Sequence, residues 1–324
     1  MENKITLRRL GKTELMLTPV GLGCWQFSKR NNLAGKVWPD LDDDLIRKVV
    51  QISLEGGINW FDTAEVYGNG ASEKALAKAL AASGKKPGDI LLATKWWPLL
   101  RTASNIPKTI EKRIEALKPF PIDLYQVHQP FGFSTEVKEM EEMAELVKQG
   151  KIRYAGVSNF SAKKMRSSWE TLDKLGIPLA SNQVQYSLLN RKIESNGIME
   201  AAKELGISII AWSPLAQGLL TGKFHDNPEL LKNIGMRKHS AMFKPAGMEK
   251  SRPLIHLIKE LALQYKVSTS QIALNWLINF HGETVVAIPG ATKESHAREN
   301  TAAMTFRISD ADMVLLDRES AMFK

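Results

Sequence analysis

EGGINWFDTAEVYG, residues 55–68, carries the two features on which the fold of this chain turns. The first is a junction. A helical pattern stops at Gly57 and an apolar run begins at once; Asn59–Trp60–Phe61, two bulky aromatics after a Gly-Gly turn, reads as a buried strand end. The same junction recurs at KQGKIRYAGVSN (148–159), KLGIPLASNQ (174–183) and ELGISIIAWS (204–213). Gly57, Gly150, Gly176 and Gly206 suit the left-handed position that ends a helix. The second feature is the polar tail of the strand, in the stretch WFDTAEVYG (60–68). Asp62 arrives where the strand stops, Tyr67 lies five residues on, and Gly68 and Gly70 let the chain turn.

Working outward, further strands are predicted at VGLGCWQF (20–27), ILLATK (90–95), IDLYQVH (122–128) and TVVAIPG (284–290). Helical spacing covers residues 41–55, 72–82, 104–117, 136–148, 162–174, 194–205, 253–265 and 270–280. ITLRRL and LMLTPV flank a Gly-Lys-Thr turn and predict a hairpin that closes one end of the barrel. Eight near-continuous apolar strands alternating with helices require a parallel sheet buried on both faces. The expected fold class is therefore α/β, a (β/α)8 TIM barrel with an N-terminal β-hairpin and a C-terminal helix, in one domain over residues 1–324. Residues 216–252 show no clear periodicity and are expected to form a mobile lid.

Composition narrows the class. Of 324 residues, 44% are hydrophobic and 24% charged, as in a soluble globular protein. No apolar run nears the ~18 residues of a membrane span. MENKITLRRLGK has no apolar core and does not read as a signal peptide. Cys24 is the single cysteine, which excludes an intrachain disulfide and fits a reducing compartment, so a cytoplasmic location is expected. The net charge of +9 is scattered, without an RNA-binding aromatic signature or zinc-finger spacing, so neither nucleic acid nor a membrane is an expected partner. A phosphate-bearing small ligand accounts for it better.

In a parallel barrel the C-terminal strand ends share one mouth. Read in order, they supply Asp62, Lys95, His128, Ser158–Asn159, Gln183 and Trp212–Ser213, with Tyr67 on the loop beside them. A free phenol titrates near ~10, too high to shuttle protons well at neutral pH. An ammonium beside it favours the phenolate, so Lys95 is expected to lower Tyr67 and Asp62 to hold Lys95. His128 can donate to a substrate oxygen. Such a cluster protonates a developing alkoxide and is poorly suited to attacking an acyl group. Near the C-terminus, Thr292 and Lys293 at a helix start make an anion site.

The motifs GLGCW, FDTAEVYG, ATKWW, DLYQVHQP, GVSNF, NQVQYSLLNR, AWSPLAQGLLTGKF and IPGATKESHAREN follow one another over nearly the whole chain. In them the sequence resembles the aldo-keto reductases, with AWSPLAQGLLTGK and IPGA nearest the bacterial and potassium-channel β-subunit-like branch. The resemblance implies a catalytic tetrad of Asp62, Tyr67, Lys95 and His128, with Tyr67 as general acid for carbonyl reduction and base in reverse. It implies NADP(H) as cofactor. Ser158, Asn159 and Gln183 would hold the carboxamide, and Trp212 would stack on the nicotinamide, with Asp62 and Trp25 also beside the cofactor. Ser213, Pro214, Leu215, Gln217, Gly218, Leu219 and Lys223 would wrap the pyrophosphate, and Gly290, Thr292, Lys293, His296, Glu299 and Asn300 the adenosine half. Lys293, His296 and Arg298 can meet an extra phosphate, which favours NADP over NAD. Family members usually carry Gln or Arg where His296 stands, so that preference weakens as the imidazole loses its proton.

Trp25 and Trp96, with Tyr67 and His128, are the expected substrate contacts, and Phe27 and Trp97 stand beside them; such walls suit an apolar or flat small-molecule aldehyde or ketone. Gly21-Leu22-Gly23 lacks the third glycine of a dinucleotide fingerprint, and GLLTGKF is one residue short of a phosphate loop. The six histidines are dispersed, so no metal is expected. The alternative function is a catalytically weak NADP(H)-binding regulatory or redox-sensing subunit. The motifs encode neither the physiological substrate nor an oligomeric state.

Overall fold

The computed structural model describes residues 5–29 and 40–324. Two short antiparallel strands, β1 (Arg8–Arg9) and β2 (Met16–Leu17), form the N-terminal hairpin. Eight parallel strands follow: β3 (Leu22–Gly23), β4 (Trp60–Asp62), β5 (Leu91–Trp96), β6 (Leu124–Val127), β7 (Tyr154–Ser158), β8 (Leu179–Gln185), β9 (Ser208–Trp212) and β10 (Val285–Ala287). Their order in the sheet is their order in the chain. The sheet closes on itself through parallel bridges from Val20 to Ala287 and from Gly23 to Gly290. The (β/α)8 barrel is thus formed, without the open edge that a flat sheet would expose.

Helices α1 (Asp43–Glu55), α2 (Ala71–Ala82), α3 (Asn105–Leu117), α4 (Glu136–Lys148), α5 (Ala162–Asp173) and α6 (Ile198–Leu205) alternate with the strands. The short α7 (Lys223–Asp226) is followed by α8 (Pro245–Tyr265), α9 (Thr269–Asn279), α10 (Glu294–Ala302) and the C-terminal α11 (Asp310–Glu319). Alternation along each strand splits the core in two. Outward side chains such as Phe61, Leu92, Val127, Val157 and Ile209 pack under the helices. Inward ones, Trp60, Ala93, Leu124, Ile210 and Val286, fill the barrel floor, where Leu10, Leu15 and Leu17 of the hairpin plug it. The other end stays polar, and that is where the site forms.

The repeated glycine junction has one geometry. Gly57, Gly150, Gly176 and Gly206 all take positive φ, +89°, +68°, +69° and +70°. In each case the next residue donates its N–H to the carbonyl five residues back: Ile58 to Ser53, Lys151 to Leu146, Ile177 to Leu172 and Ile207 to Ala202. This closes the helix and aims the chain straight into the following strand. A Cβ at Gly150 meets no atom within 4 Å, so backbone strain alone sets the cost of filling it. Gly150→Ala should destabilise by about 1 kcal/mol in urea unfolding and leave turnover unchanged.

Four expectations need correction. The strand expected over 20–27 shortens to Leu22–Gly23, because Trp25–Phe27 turns into a 3-10 helix as it leaves the sheet. The helix expected from residue 194 begins at Ile198, after Gly197 at φ +84° breaks it from the 3-10 turn Lys192–Glu194. The helix expected from Pro253 begins at Pro245. Met248, Ser251, Leu254, Ile255 and Ile258 give it a continuous buried face, and Pro253 lies on the exposed side, where water can take the carbonyl it frees. Residues 216–243, finally, are not structureless. They form the 3-10 turns Ala216–Thr221, Pro228–Asn233, Gly235–His239 and Ala241–Phe243, with α7 among them, and bury Leu219, Leu220, Phe224, Ile234 and Phe243.

Candidate active site

Asp62, Lys95 and Gln183 come from β4, β5 and β8 and meet in the polar mouth. Lys95 Nζ donates to Asp62 Oδ1 at 2.5 Å and Oδ2 at 2.7 Å, and to the Thr63 carbonyl at 2.8 Å. Gln183 Nε2 donates to Asp62 Oδ2 at 3.0 Å. Asp62 and Lys95 are 1% and 0% exposed. Burial pushes the carboxyl up and the ammonium down, while each partner holds the other charged.

Tyr67 reaches over this pair from the loop after β4. Lys95 Nζ lies 5.1 Å from the centre of its ring. His128, just past β6, meets the phenol edge-on at 5.7 Å, and Trp25 stacks on its other side at 5.9 Å. The expected lowering of the phenol is absent. Burial, then the Asp62 and Cys24 charges, push Tyr67 well above the ordinary phenol range. The reason is that Lys95 is already neutralised: seen from the phenol, the ammonium and its carboxylate form a dipole rather than a free cation. The phenol holds its proton firmly. His128 is driven well below the ordinary imidazole range by burial and by Lys95, so it is neutral. Its Nδ1 is buried without a hydrogen-bond partner.

A hydrogen-bonded chain runs from here across five strand ends. Ser158 Oγ donates to the Gln183 carbonyl at 2.9 Å, and Asn159 Nδ2 donates to Ser158 Oγ at 3.1 Å and to the His128 carbonyl at 3.2 Å. Trp212 Nε1 donates to Asn159 Oδ1 at 3.0 Å. Asn159 makes these bonds from a left-handed backbone, φ +62°. Trp212 is thereby fixed as an aromatic face beside the tetrad, in the position a flat ring would stack on.

Beyond Trp212 the chain turns through Ser213, Pro214 and Leu215, with positive φ at Ser213, Ala216, Gln217 and Gly218. Gln217 Oε1 is buried without a partner, and Leu219 is fully buried. Lys223 stands at the surface, and partial desolvation together with the Arg237 and Lys293 charges holds its ammonium below the ordinary value. Three cations that repel one another form a site that an anion relieves. Arg237 is a residue the sequence reading missed. It sits in the aperiodic stretch, where its guanidinium donates to the carbonyls of Gln217 and Ile234, each at 3.1 Å.

At the start of α10, Lys293 is the N-cap residue and His296 lies in the first turn. Thr292 N–H donates to His296 Nδ1 at 3.3 Å, and burial lowers the imidazole, so His296 is a neutral acceptor here. Glu299 accepts from Ser268 Oγ at 3.1 Å, and Asn300 Nδ2 donates to the Gly290 carbonyl at 3.5 Å. A Cβ on Gly290 would meet the Gln26 side-chain amide at 2.2 Å, so that amide would have to shift for any larger residue to fit between these two loops. A left-handed turn and a cation cluster beside a fixed indole fit a dinucleotide phosphate chain.

The apolar wall differs from expectation. Trp96 and Phe27 are 0% exposed within the layer between sheet and helices, and Trp96 Nε1 donates to Asn105 at 3.1 Å. Strand parity explains it: Lys95 points inward, so Trp96 points out. Trp97 takes the place at the mouth. It meets His128 edge-on at 5.1 Å and Phe131 at 5.6 Å. Leu99, Leu100 and Phe133 stand exposed on the same two loops. Among the described residues no group of three or more His, Cys, Asp or Glu could hold a metal ion, and no helix is long and apolar enough to cross a membrane.

Comparison with known proteins places the chain among oxidoreductases of one family. An uncharacterised oxidoreductase of Mycobacterium tuberculosis is 34% identical over 293 residues, 90% of this chain and 85% of that protein. The glycerol dehydrogenase of Gluconobacter oxydans superposes with a TM-score of 0.84 at 28% identity, over 98% of this chain and 95% of that one. An aldo-keto reductase of Klebsiella pneumoniae, solved with NADPH, gives 0.74 at 25% identity, over 97% and 95%. The model of the aldo/keto reductase family matches residues 19–320, and the chain belongs to that family of oxidoreductases.

Proposed function

We propose that the protein reduces an aldehyde or ketone to an alcohol with NADPH, Tyr67 serving as general acid. The convergence of Tyr67, Lys95, Asp62 and His128 at one mouth carries this reading. A reduced nicotinamide supplies the hydride that the carbonyl carbon accepts. Tyr67 gives its proton to the carbonyl oxygen as charge develops there, and His128, neutral, donates one hydrogen bond that orients that oxygen. Ser158, Asn159 and Trp212 hold the ring side of the cofactor. Lys223 and Arg237 would hold its pyrophosphate, and Lys293 the extra phosphate that separates NADPH from NADH. The Klebsiella relative was solved with NADPH, which supports the same cofactor here.

The substrate is an apolar or flat carbonyl compound. Trp25 and Trp97 wall the phenol and imidazole, and the apolar surface continues outward through Phe131. Loss of nicotinamide absorbance with a panel of aldehydes and ketones tests the reading. Turnover should be faster with NADPH than NADH, and Lys293→Ala should raise the NADPH KM about tenfold, one charged phosphate contact, with little change in the NADH KM. Tight NADPH binding without turnover on any carbonyl would instead favour a regulatory subunit.

A further inference from the structure

We propose that Glu65 is a positioning residue that holds His128 in register with Tyr67 by pinning Trp97; this rests on the carbonyl reductase reading above. His128 Nδ1 has no hydrogen-bond partner, so packing fixes its ring plane. The imidazole is held between the edge-on contacts of Tyr67 and Trp97, at 5.7 Å and 5.1 Å with interplanar angles of 82° and 81°. Tyr67 and Trp97 ride on separate loops, after β4 and after β5. One carboxylate joins those loops.

Glu65 lies two residues before Tyr67 and is nearly buried. Its Oε1 accepts the Trp97 backbone N–H at 2.6 Å and Arg101 at 2.5 Å; its Oε2 accepts Arg113 of α3 at 2.9 Å. Arg113 also pairs with the buried Glu73 of α2 at 3.0 Å, which anchors the cluster to the helix layer. The clamp extends to a third loop. Phe133 N–H donates to the Arg101 carbonyl at 2.9 Å, and the Phe131 ring packs on Trp97. Acid, imidazole and apolar wall are therefore carried by three loops tied at Glu65. Charge-assisted bonds of this kind are the strong ones, and here they are shielded from water.

Without the Glu65 acceptor, the Trp97 N–H loses its tie and the ring that confines His128 is released. Glu65→Ala should lower kcat about tenfold for a small and an aromatic aldehyde alike, because a misaligned donor costs the chemical step whatever the substrate. NADPH affinity should stay within about twofold, since no phosphate or nicotinamide residue touches the clamp. Glu65→Gln keeps an oxygen for the Trp97 N–H and should recover kcat to within about threefold of wild type. The His128 ring-proton shifts in NMR give a readout that needs no turnover. The Trp97 ring current should displace them in wild type and in Glu65→Gln, and that displacement should be lost in Glu65→Ala. Should Glu65→Ala fail to fold, Trp97→Ala must show the same kcat loss and the same shift. Unchanged kcat and unchanged His128 shifts in either alanine variant overturn the proposal, as does a Glu65→Gln protein as impaired as Glu65→Ala. A wild-type protein that turns over no carbonyl yet shows the displaced His128 shifts would reject the reductase reading and leave the clamp standing.

Discussion

Replacing Tyr67 by Phe should cut kcat for carbonyl reduction by about 10²–10⁴-fold while leaving the NADPH dissociation constant unchanged. The phenol lies between His128 and Lys95, where the proposed reaction would need a proton for the carbonyl oxygen, and Phe keeps the ring that packs on Trp25 and His128. The loss is therefore chemical rather than structural, and the thermal midpoint should move little. The pH profile of wild type adds a signature. Burial and the Asp62 charge keep the phenol protonated through neutral pH, so the reduction rate should be flat from about pH 6 to 9. Alcohol oxidation needs the phenolate, so its rate should climb about tenfold per pH unit over the same range. His128, already neutral, adds no inflection above its lowered value. Pre-steady-state absorbance of the nicotinamide reads the hydride step directly. A Tyr67→Phe protein that keeps wild-type kcat would remove the phenol from the reaction.

The fold was legible because its junctions are written locally. Each left-handed glycine specifies a helix end and a strand start within six residues, and the four expected ones adopt that conformation. The meeting of Asp62, Lys95 and His128 at one mouth was legible because strand ends in a parallel barrel share it, so each needed only its place on the strand. Trp96 was misread for a reason also present in the sequence. In the doublet Trp96–Trp97, strand parity counted from the inward Lys95 sends the first indole outward, and Trp97 beyond the strand end is free of that parity. Arg237 and Glu65 were not legible. Arg237 reaches Gln217 from an aperiodic stretch, and Glu65 finds Arg113 across 48 residues; no spacing rule encodes either. Burial of charge also escaped the sequence. The expectation of a lowered phenol counted Lys95 as a free cation and left out the cancellation by Asp62 at 2.5 Å.

That cancellation makes Lys95→Met the second large effect, on stability as well as rate. Lys95 and Asp62 are almost wholly buried, and removing one partner leaves the other charge in a dry site at a cost of about 3–5 kcal/mol. Gln183 offsets part of that through its amide donor. Asp62 responds by holding a proton, because burial raises its carboxyl once the ammonium is gone. The pH dependence has a definite sign. In acid, Asp62 is protonated in both folded and unfolded chains and no penalty arises. As pH rises through about 4, the unfolded carboxyl ionises while the buried one does not, so the variant loses stability relative to wild type until the raised folded value is passed. Urea unfolding at several pH values should therefore show a gap that is small in acid and widest near neutrality. Asp62→Asn combined with Lys95→Met should recover most of the stability, since no charge is left buried. Activity should stay about 10²–10³-fold down in both variants, because the ammonium that lies 5.1 Å from the Tyr67 ring and faces the phenolate as it forms is gone. Recovery of stability without recovery of rate separates what the pair does for the fold from what it does for the phenol. A double variant that regains both would assign the pair to the fold alone.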